Sequence, residues 1–467
     1  MDTDQKYQGT LDYLYSFIDY SLQKTFRYSP EKFDLDRMRD FMAALGNPQN
    51  DYKILHVAGT KGKGSVSALC ASALKESGAR VGLYTSPHLQ DYAERIQVDG
   101  IPIPHYDLIT LVEEIKPNIA ASPEITTFEI TTALAFLYFA RRKVSAAVME
   151  VGLGGRLDAT NVCVPEVTVI TSISYDHTDL LGETLAEIAG EKGGIIKPGV
   201  AVVVSPQEEE ALQVIKSIAV ERGAPLIQVG GDYLYQQLDR SLQGQSLQVW
   251  HKSEPASEDG STPSGKDPDR EPKRLTIPLL GVHQLENAAT AYAALQVVRQ
   301  NGIQVTDLGI SQGFRSVNWP GRFEILQHDP PVIIDSAHNR DSAKKLRAVL
   351  EDYYPGMPVV LVFGASEDKD IKGMLAELGP CARKIVTTKS THPRAADPGK
   401  LVEIANEIGC PAFSTPSVEE ALDEAALLTG GEAVILVTGS IFVAAAARSA
   451  WLTCSSEKNL SYTGNKI

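Results

Sequence analysis

The chain has 467 residues, 43% apolar and 22% charged, with 37 Gly and 26 Pro, which is too long for one hydrophobic core and ordinary for a folded protein of two domains. A formal net charge of -15 excludes the broad basic face that neutralising a nucleic acid backbone requires. It does not exclude a nucleotide, whose phosphates are held locally by backbone N–H groups, a Lys and a divalent metal.

The N-terminal run MDTDQKYQGT is acidic where a signal peptide is basic and then apolar. From Lys53 onward, short β-rich runs alternate with helical patterns: ILHVAG, a helix after Lys63, RVGLYTS, SAAVMEVG and EVTVITSIS. Such alternation implies a parallel sheet with crossover helices, and nearly continuous apolar strands imply that both sheet faces are covered. Residues 251–274, HKSEPASEDGSTPSGKDPDREPKR, carry almost no apolar side chains and cannot bury enough surface to order themselves. SLQVW before and RLTIPLL after make this segment a long surface loop between two strands.

A second alternation follows Trp319: PVIIDSAHN, a helix, PVVLVFGAS, a helix from Lys372, RKIVTT, two helices and AVILVTGS. The expected organisation is therefore an N-terminal domain over 1–318, a linker over 319–330 at the Pro320-Gly321 punctuation, and a C-terminal α/β domain over 331–467. The late apolar run Ala433–Ala447 is interrupted by Thr438, Gly439 and Ser440 and is too short to span a membrane. Cys70, Cys163, Cys381, Cys410 and Cys454 show no C-x-x-C spacing, the pattern of reduced packing thiols in a cytoplasmic protein.

The segment HVAGTKGKGSV places a Gly-rich loop, Gly59 to Ser65, between a strand and a helix. Free N–H groups and the helix dipole converge there on phosphate oxygens, and Lys63 can reach the β- and γ-phosphates. The spacing is shorter than the standard G-x-x-x-x-G-K-[ST] loop. Glu150 ends an apolar strand just before VGLGGRLDATN; it is either a strand-end charge or a metal ligand facing phosphates. His177 follows a strand in SISYDHTDLLG beside Asp176, and Lys192 lies in AGEKGGIIKPG; an isolated His is more often structural, and the Lys taken alone is a solvated helix residue. Asn287 offers an amide that can read an adenine edge. Asp335 and His338, in DSAHN, end a strand of the second sheet, and Arg322 sits near the hinge. Each of these reads equally well as structural.

Taken together, GTKGKGS, YTSPHL (Tyr84–Leu89), ERI at Glu94, TTFE (Thr126–Glu129), EVGLGGRLDATN, DHTDLLG, EKGGIIK, HQLENAA, PGRFE, DSAHN and DKDI from Asp368 resemble the folylpolyglutamate synthases and bifunctional dihydrofolate synthases of the Mur ligase superfamily. The resemblance covers nearly the whole chain. It implies an α/β fold: an N-terminal P-loop ATPase domain with a parallel sheet, plus a C-terminal Rossmann-like domain, with the active site in the cleft between them. It further implies ATP on Thr60, Lys61, Gly62 and Lys63, with Asn287, Arg322 and Asp335 on the nucleotide. Mg²⁺ in two sites falls to Ser86, Glu150, His177 and Lys192, the last as a carbamate. The pterin pocket falls to Asp34, Leu35, Asp36, Arg37, Thr126, Thr127, Phe128, Glu129, Leu157, Asp158 and Ala159, with Phe128 stacking on the ring and Asp158 accepting its N–H groups. L-Glutamate falls near His338 and Ser440, and Lys63, Lys192 and His338 carry catalysis.

The implied substrates are L-glutamate, dihydropteroate and reduced folates, handled by a cytoplasmic monomer without nucleic acid or membrane partners. Two departures stand out: Lys61 where the family often has Asn, and the acidic insertion at 251–274. The alternatives are a Mur-type ligase acting on a UDP-sugar peptide, against which TTFE and LDATN argue, and a P-loop ATPase without ligase chemistry.

Overall fold

A computed structural model describes residues 2–17, 35–252 and 272–463, with side chains to residue 453. Contacts divide the chain into two compact units. One comprises residues 1–88, 92–278 and 282–318, and the other residues 89–91, 279–281 and 319–467.

The first unit is built on eight strands: β1 (Lys53–Ala58), β2 (Val81–Tyr84), β3 (Ile96–Val98), β4 (Ile101–Pro102), β5 (Ala146–Glu150), β6 (Val167–Ile170), β7 (Val202–Val204) and β8 (Leu226–Gln228). Their order is β4-β3-β2-β5-β1-β6-β7-β8. From β2 to β8 every pairing is parallel, while β3 and β4 close one edge antiparallel. Side chains of β1, β5, β6 and β7 are buried almost throughout, because helices cover both faces.

The helix Thr127–Arg141 begins at a capping box in which Thr126 accepts from the Glu129 N–H and Glu129 returns the bond, two otherwise orphaned donors satisfied at once. It buries Ile130, Leu134, Phe136 and Phe139 in a core shared with Met38, Phe41, Leu108, Val112 and Met149. Phe139 lies so close to Gly82 that a Cβ there would sit 2.8 Å from its ring, so β2 tolerates no side chain at that point. Truncating the fully buried Phe136 would cost about 3–5 kcal/mol.

Three further strands, β9 (Tyr233–Ser241), β10 (Gly244–His251) and β11 (Lys273–Ile277), form an antiparallel sheet in the order β11-β10-β9. β10 pairs with β11 from Gln245↔Ile277 to Val249↔Lys273. The polar insertion therefore joins two neighbouring strands, as its flanks suggest; its residues 253–271 lie outside the described residues.

The second unit carries β12 (Glu324–His328), β13 (Pro331–Ile334), β14 (Val359–Phe363), β15 (Ala382–Thr387), β16 (Ala412–Ser414) and β17 (Val434–Thr438), in the order β12-β13-β17-β14-β15-β16. All pairings are parallel except β12 with β13. The segment 319–330, read from sequence as a linker, thus contains an edge strand. Apolar clusters fill both faces of this sheet, one around Leu361, Leu375 and Leu401 and the other around Val360, Ala421 and Val437.

Candidate active site

In the first unit the phosphate loop leaves β1 and enters the helix Lys63–Glu76. Gly59 has φ 147° and Gly62 φ 89°, backbone conformations that side chains disfavour. A Cβ on Gly62 would lie 2.2 Å from Asn287 Oδ1, so the Asn287 amide sits directly against the loop, and its Nδ2 donates to Gln284 Oε1 at 3.0 Å. The loop is stapled to the segment after β6: the Thr60 and Lys61 N–H groups both donate to the Ser172 carbonyl, and Thr60 Oγ1 exchanges bonds with the Ser174 backbone. Lys63 Nζ donates to the Gly59 carbonyl at 3.1 Å. Lys61, the residue that departs from the family pattern, forms an ion pair with Asp176 at 2.8 Å.

Of the residues expected to hold metal, Ser86, Glu150 and His177 follow or end strands of this sheet, and Lys192 lies in the helix Leu185–Gly193. Glu150, at the end of β5, is buried and its Oε2 accepts from the Ser86 N–H at 3.3 Å. His177 adopts φ 51° and its Nε2 lies 3.8 Å from Asp176 Oδ1. Lys192 is buried and its ammonium is pushed down to about 7, chiefly by burial and next by Lys63; Lys61 acts the same way, while Asp176 and Asp158 oppose. A Lys near 7 has a substantial neutral amine fraction at neutral pH, able to serve as a nucleophile. Among the described residues no three or more His, Cys, Asp or Glu side chains gather as a metal cage.

The expected acceptor residues separate into two groups. Phe128 lies over Gly152, where a Cβ would approach its ring to 2.4 Å, and its ring centroid is 6.2 Å from that of Tyr84. Asp158 is buried beside them, its carboxylate accepting from the N–H groups of Gly152, Leu153 and Thr160 and from the Thr160 hydroxyl. Burial raises its pKa and those four bonds oppose the rise. Leu157 is half-buried and Ala159 buried.

The second group is engaged in building the fold. Glu129 caps its helix and holds Arg37 in a two-point pair, Nε to Oε1 at 3.0 Å and Nη2 to Oε2 at 3.1 Å. Thr126 completes the capping box, and Thr127 Oγ1 donates to the Leu14 carbonyl at 2.9 Å. Leu35 is in the core. Asp36 is exposed and paired with Arg39. Asp34 lies outside the described residues.

In the second unit, Asp335 follows β13, with Oδ1 accepting from the Ala337 N–H and Oδ2 from the Phe323 N–H, both at 2.8 Å. Burial raises its pKa, while the neighbouring Arg322 works against the rise. His338 Nδ1 lies 2.9 Å from the Ser336 carbonyl, which can only accept, so Nδ1 carries a proton. Ser440 Oγ accepts from the Phe442 N–H at 3.2 Å and so caps the following helix. On the same strand-end edge Asp368 pairs with Arg394, and Lys369 lies beside it. The DKDI string was the available signal for that turn.

Residues 57–295 match the Mur ligase middle domain and residues 321–441 the Mur ligase glutamate ligase domain. The chain is 37% identical over 415 residues to the dihydrofolate synthase/folylpolyglutamate synthase of Bacillus subtilis, covering 87% of this chain and 92% of that one. The chain belongs to the dihydrofolate synthase/folylpolyglutamate synthase family. Among solved structures of the family, the Mycobacterium tuberculosis folylpolyglutamate synthase complexed with ADP aligns at a TM-score of 0.84 with 33% identity, covering 96% of this chain and 99% of that one. A complex of a folylpolyglutamate synthase with AMPPCP and folate aligns at 0.78 with 32% identity, over 96% of this chain and 99% of that one. Membership makes the chain an ATP-dependent, amide-forming ligase with the Mur ligase fold. No described helix is long and apolar enough to cross a membrane.

Proposed function

We propose that this chain ligates L-glutamate to dihydropteroate, to reduced folates, or to both. The observation that carries this reading is a single loop. Residues 150–161 start at Glu150 beside Ser86, run under the Phe128 ring at Gly152, and reach the Lys192 backbone at Gly155, where a Cβ would meet the Glu191 and Lys192 carbonyls at 2.9 and 3.0 Å. One short segment therefore links the end of an aromatic ring, a side chain able to stack on a pteridine, to the phosphate edge of the same sheet.

A carboxylate does not condense with an amine in water, because hydroxide is a poor leaving group. Transfer of the ATP γ-phosphoryl group to the acceptor carboxylate gives an acyl phosphate and ADP. The glutamate α-amine then attacks the acyl carbon, forming the C–N bond, losing a proton and expelling phosphate. The N–H groups of the phosphate loop and Lys63 hold the phosphates and offset charge on the group in transfer. His338, whose Nδ1 is held by the Ser336 carbonyl, is assigned to the glutamate end. Mg²⁺ belongs to the same reading: Ser86, Glu150, His177 and a carbamylated Lys192 would hold it, and it would neutralise phosphate charge. A monomer in the cytoplasm completes the assignment.

Incubation with ATP, Mg²⁺, L-glutamate and either dihydropteroate or tetrahydrofolate tests it. ADP and a product heavier by one glutamyl group are expected, and comparing the two acceptors separates the two activities. ADP formation with no pteridine acceptor overturns the reading, and turnover with a UDP-sugar peptide instead would move the chain to the cell-wall ligases.

A further inference from the structure

β1 is the strand that delivers the phosphate loop, and it carries one polar side chain where its pattern calls for an apolar one. His56 is fully buried between β5 and β6, opposite Met149 and Thr168. Its Nε2 lies 2.8 Å from Thr160 Oγ1, and that hydroxyl also bonds Asp158 Oδ1.

The direction of this chain is fixed by counting protons. The Asp158 carboxylate receives three backbone N–H groups, two on Oδ2 and one on Oδ1, so it acts as an acceptor throughout. The Thr160 hydroxyl has one proton, and giving it to Asp158 leaves only a lone pair toward His56. His56 therefore donates from Nε2. Burial keeps the ring neutral, pushing its pKa down to about 3 with Lys197 adding to the effect, and Nδ1 has no hydrogen-bond partner.

We propose that His56 is a positioning residue for the acceptor: through Thr160 it sets the Asp158 carboxylate, and with it the Gly152–Leu153 turn on which the Phe128 ring rests. This rests on the assignment of Phe128 and Asp158 to the pteridine end of the site. The relay acts on the loop at the points where Asp158 grips Gly152 and Leu153, not on the phosphate loop, whose bonds run to Ser172 and Ser174. A fault in the relay should therefore be felt by the acceptor and not by ATP.

The test compares His56→Leu, which removes the donor, with His56→Gln, whose side-chain amide can restore an N–H at similar reach. His56→Leu is expected to raise KM for the pteridine acceptor about tenfold, with kcat and KM for ATP within about threefold of the parent, as for other partners that orient a ligand without touching it. His56→Gln is expected to recover most of the loss. An unchanged acceptor KM in His56→Leu overturns the proposal, as does a rise in acceptor and ATP KM in step with a fall in Tm. If His56→Leu does not fold, His56→Phe removes the same donor and must give the same split between substrates, and Thr160→Val, which takes away the middle of the relay together with its bond to Asp158, must shift the acceptor KM at least as far.

A readout independent of the acceptor separates this proposal from the functional assignment. In the ¹⁵N-histidine spectrum of the full chain, His56 is expected as the neutral Nε2–H tautomer, with its resonance moved by Thr160→Val. A His56 protonated at Nδ1 overturns the relay even if the chain turns over every folate offered, whereas absence of turnover with the relay intact overturns only the assignment of function.

Discussion

Lys61 Nζ lies 2.8 Å from Asp176 Oδ2, with the two side chains 14% and 8% exposed, and this pair joins the phosphate loop to the segment carrying His177. Removing one partner of a mostly buried pair weakens the compensation of the other charge, which for Asp176 then falls to the His177 N–H and the neighbouring cations, whereas removing both is milder. Lys61→Met is therefore expected to lower Tm, and Lys61→Met combined with Asp176→Asn to regain most of the loss. Thermal unfolding of the two single variants and the double variant closes the cycle; additive losses would show that the pair is not coupled.

Gly62 meets the Asn287 amide at a distance no side chain can share, and its φ of 89° adds strain to any replacement. Gly62→Ala is expected to weaken ATP binding at least about tenfold while the helix behind the loop stays folded, since the change acts on the loop backbone that presents N–H groups to phosphate. Isothermal titration with ATP and a CD spectrum check both halves. Asn287→Ala on the same background is not expected to restore the affinity, because it relieves the contact but not the φ and removes an amide assigned to the nucleotide.

Lys63→Ala is expected to reduce kcat by about 10²–10³-fold, the usual effect of deleting one group that meets charge developing in the transition state. Initial rates of ADP formation measure it. The fold is expected to be unaffected, because Lys63 contributes one bond to the Gly59 carbonyl.

Lys192 supplies a pH-dependent prediction whose sign differs from that of a lysine in a salt bridge. Its folded pKa is about 7, against about 10.4 in the unfolded chain, so between these values the unfolded state binds more protons and stability rises with pH. Below pH 7 the buried ammonium imposes its full penalty. Lys192→Met is therefore expected to raise Tm relative to the parent at pH 6, with the difference shrinking as pH approaches 10. Turnover should be lost at every pH, and in Lys192→Ala partly restored by short carboxylic acids if a carbamate there supplies the anionic oxygens.

Much of this architecture was legible from periodicity. Apolar runs such as ILHVAG and PVVLVFGAS alternate with helical stretches, which suffices for two covered parallel sheets, and the Gly-rich junction after β1 announces a phosphate site. Partners across the fold were not legible. TTFE has the spacing of a capping box, which makes the Thr126–Glu129 bonds legible, yet nothing in the string says that the same carboxylate also holds Arg37, 92 residues away. Asp158 reads as an acceptor for a ligand, but three backbone N–H groups and a hydroxyl reach it first. Those bonds depend on loop geometry that residue spacing does not encode. His56 did carry a signal, since a histidine in an otherwise apolar central strand must find a buried partner.

Asp335 illustrates the same point in the second unit and gives the last prediction. Both of its oxygens accept from backbone N–H groups, one before β12 and one after β13, so it ties the edge strand's entry to the DSAHN turn. Phe323, one of the two donors, has a φ of 44°, a conformation a bulky residue holds only when its surroundings impose it. Asp335→Asn keeps size and shape but turns one acceptor into a donor facing an N–H group. Leaving that buried N–H without an acceptor costs about 1–3 kcal/mol. Chemical denaturation should report a loss of that order, and Asp335→Ala should lose at least as much because it abandons both donors. If Asp335→Asn is as stable as the parent, the two N–H groups have other acceptors and the carboxylate is not what holds the turn.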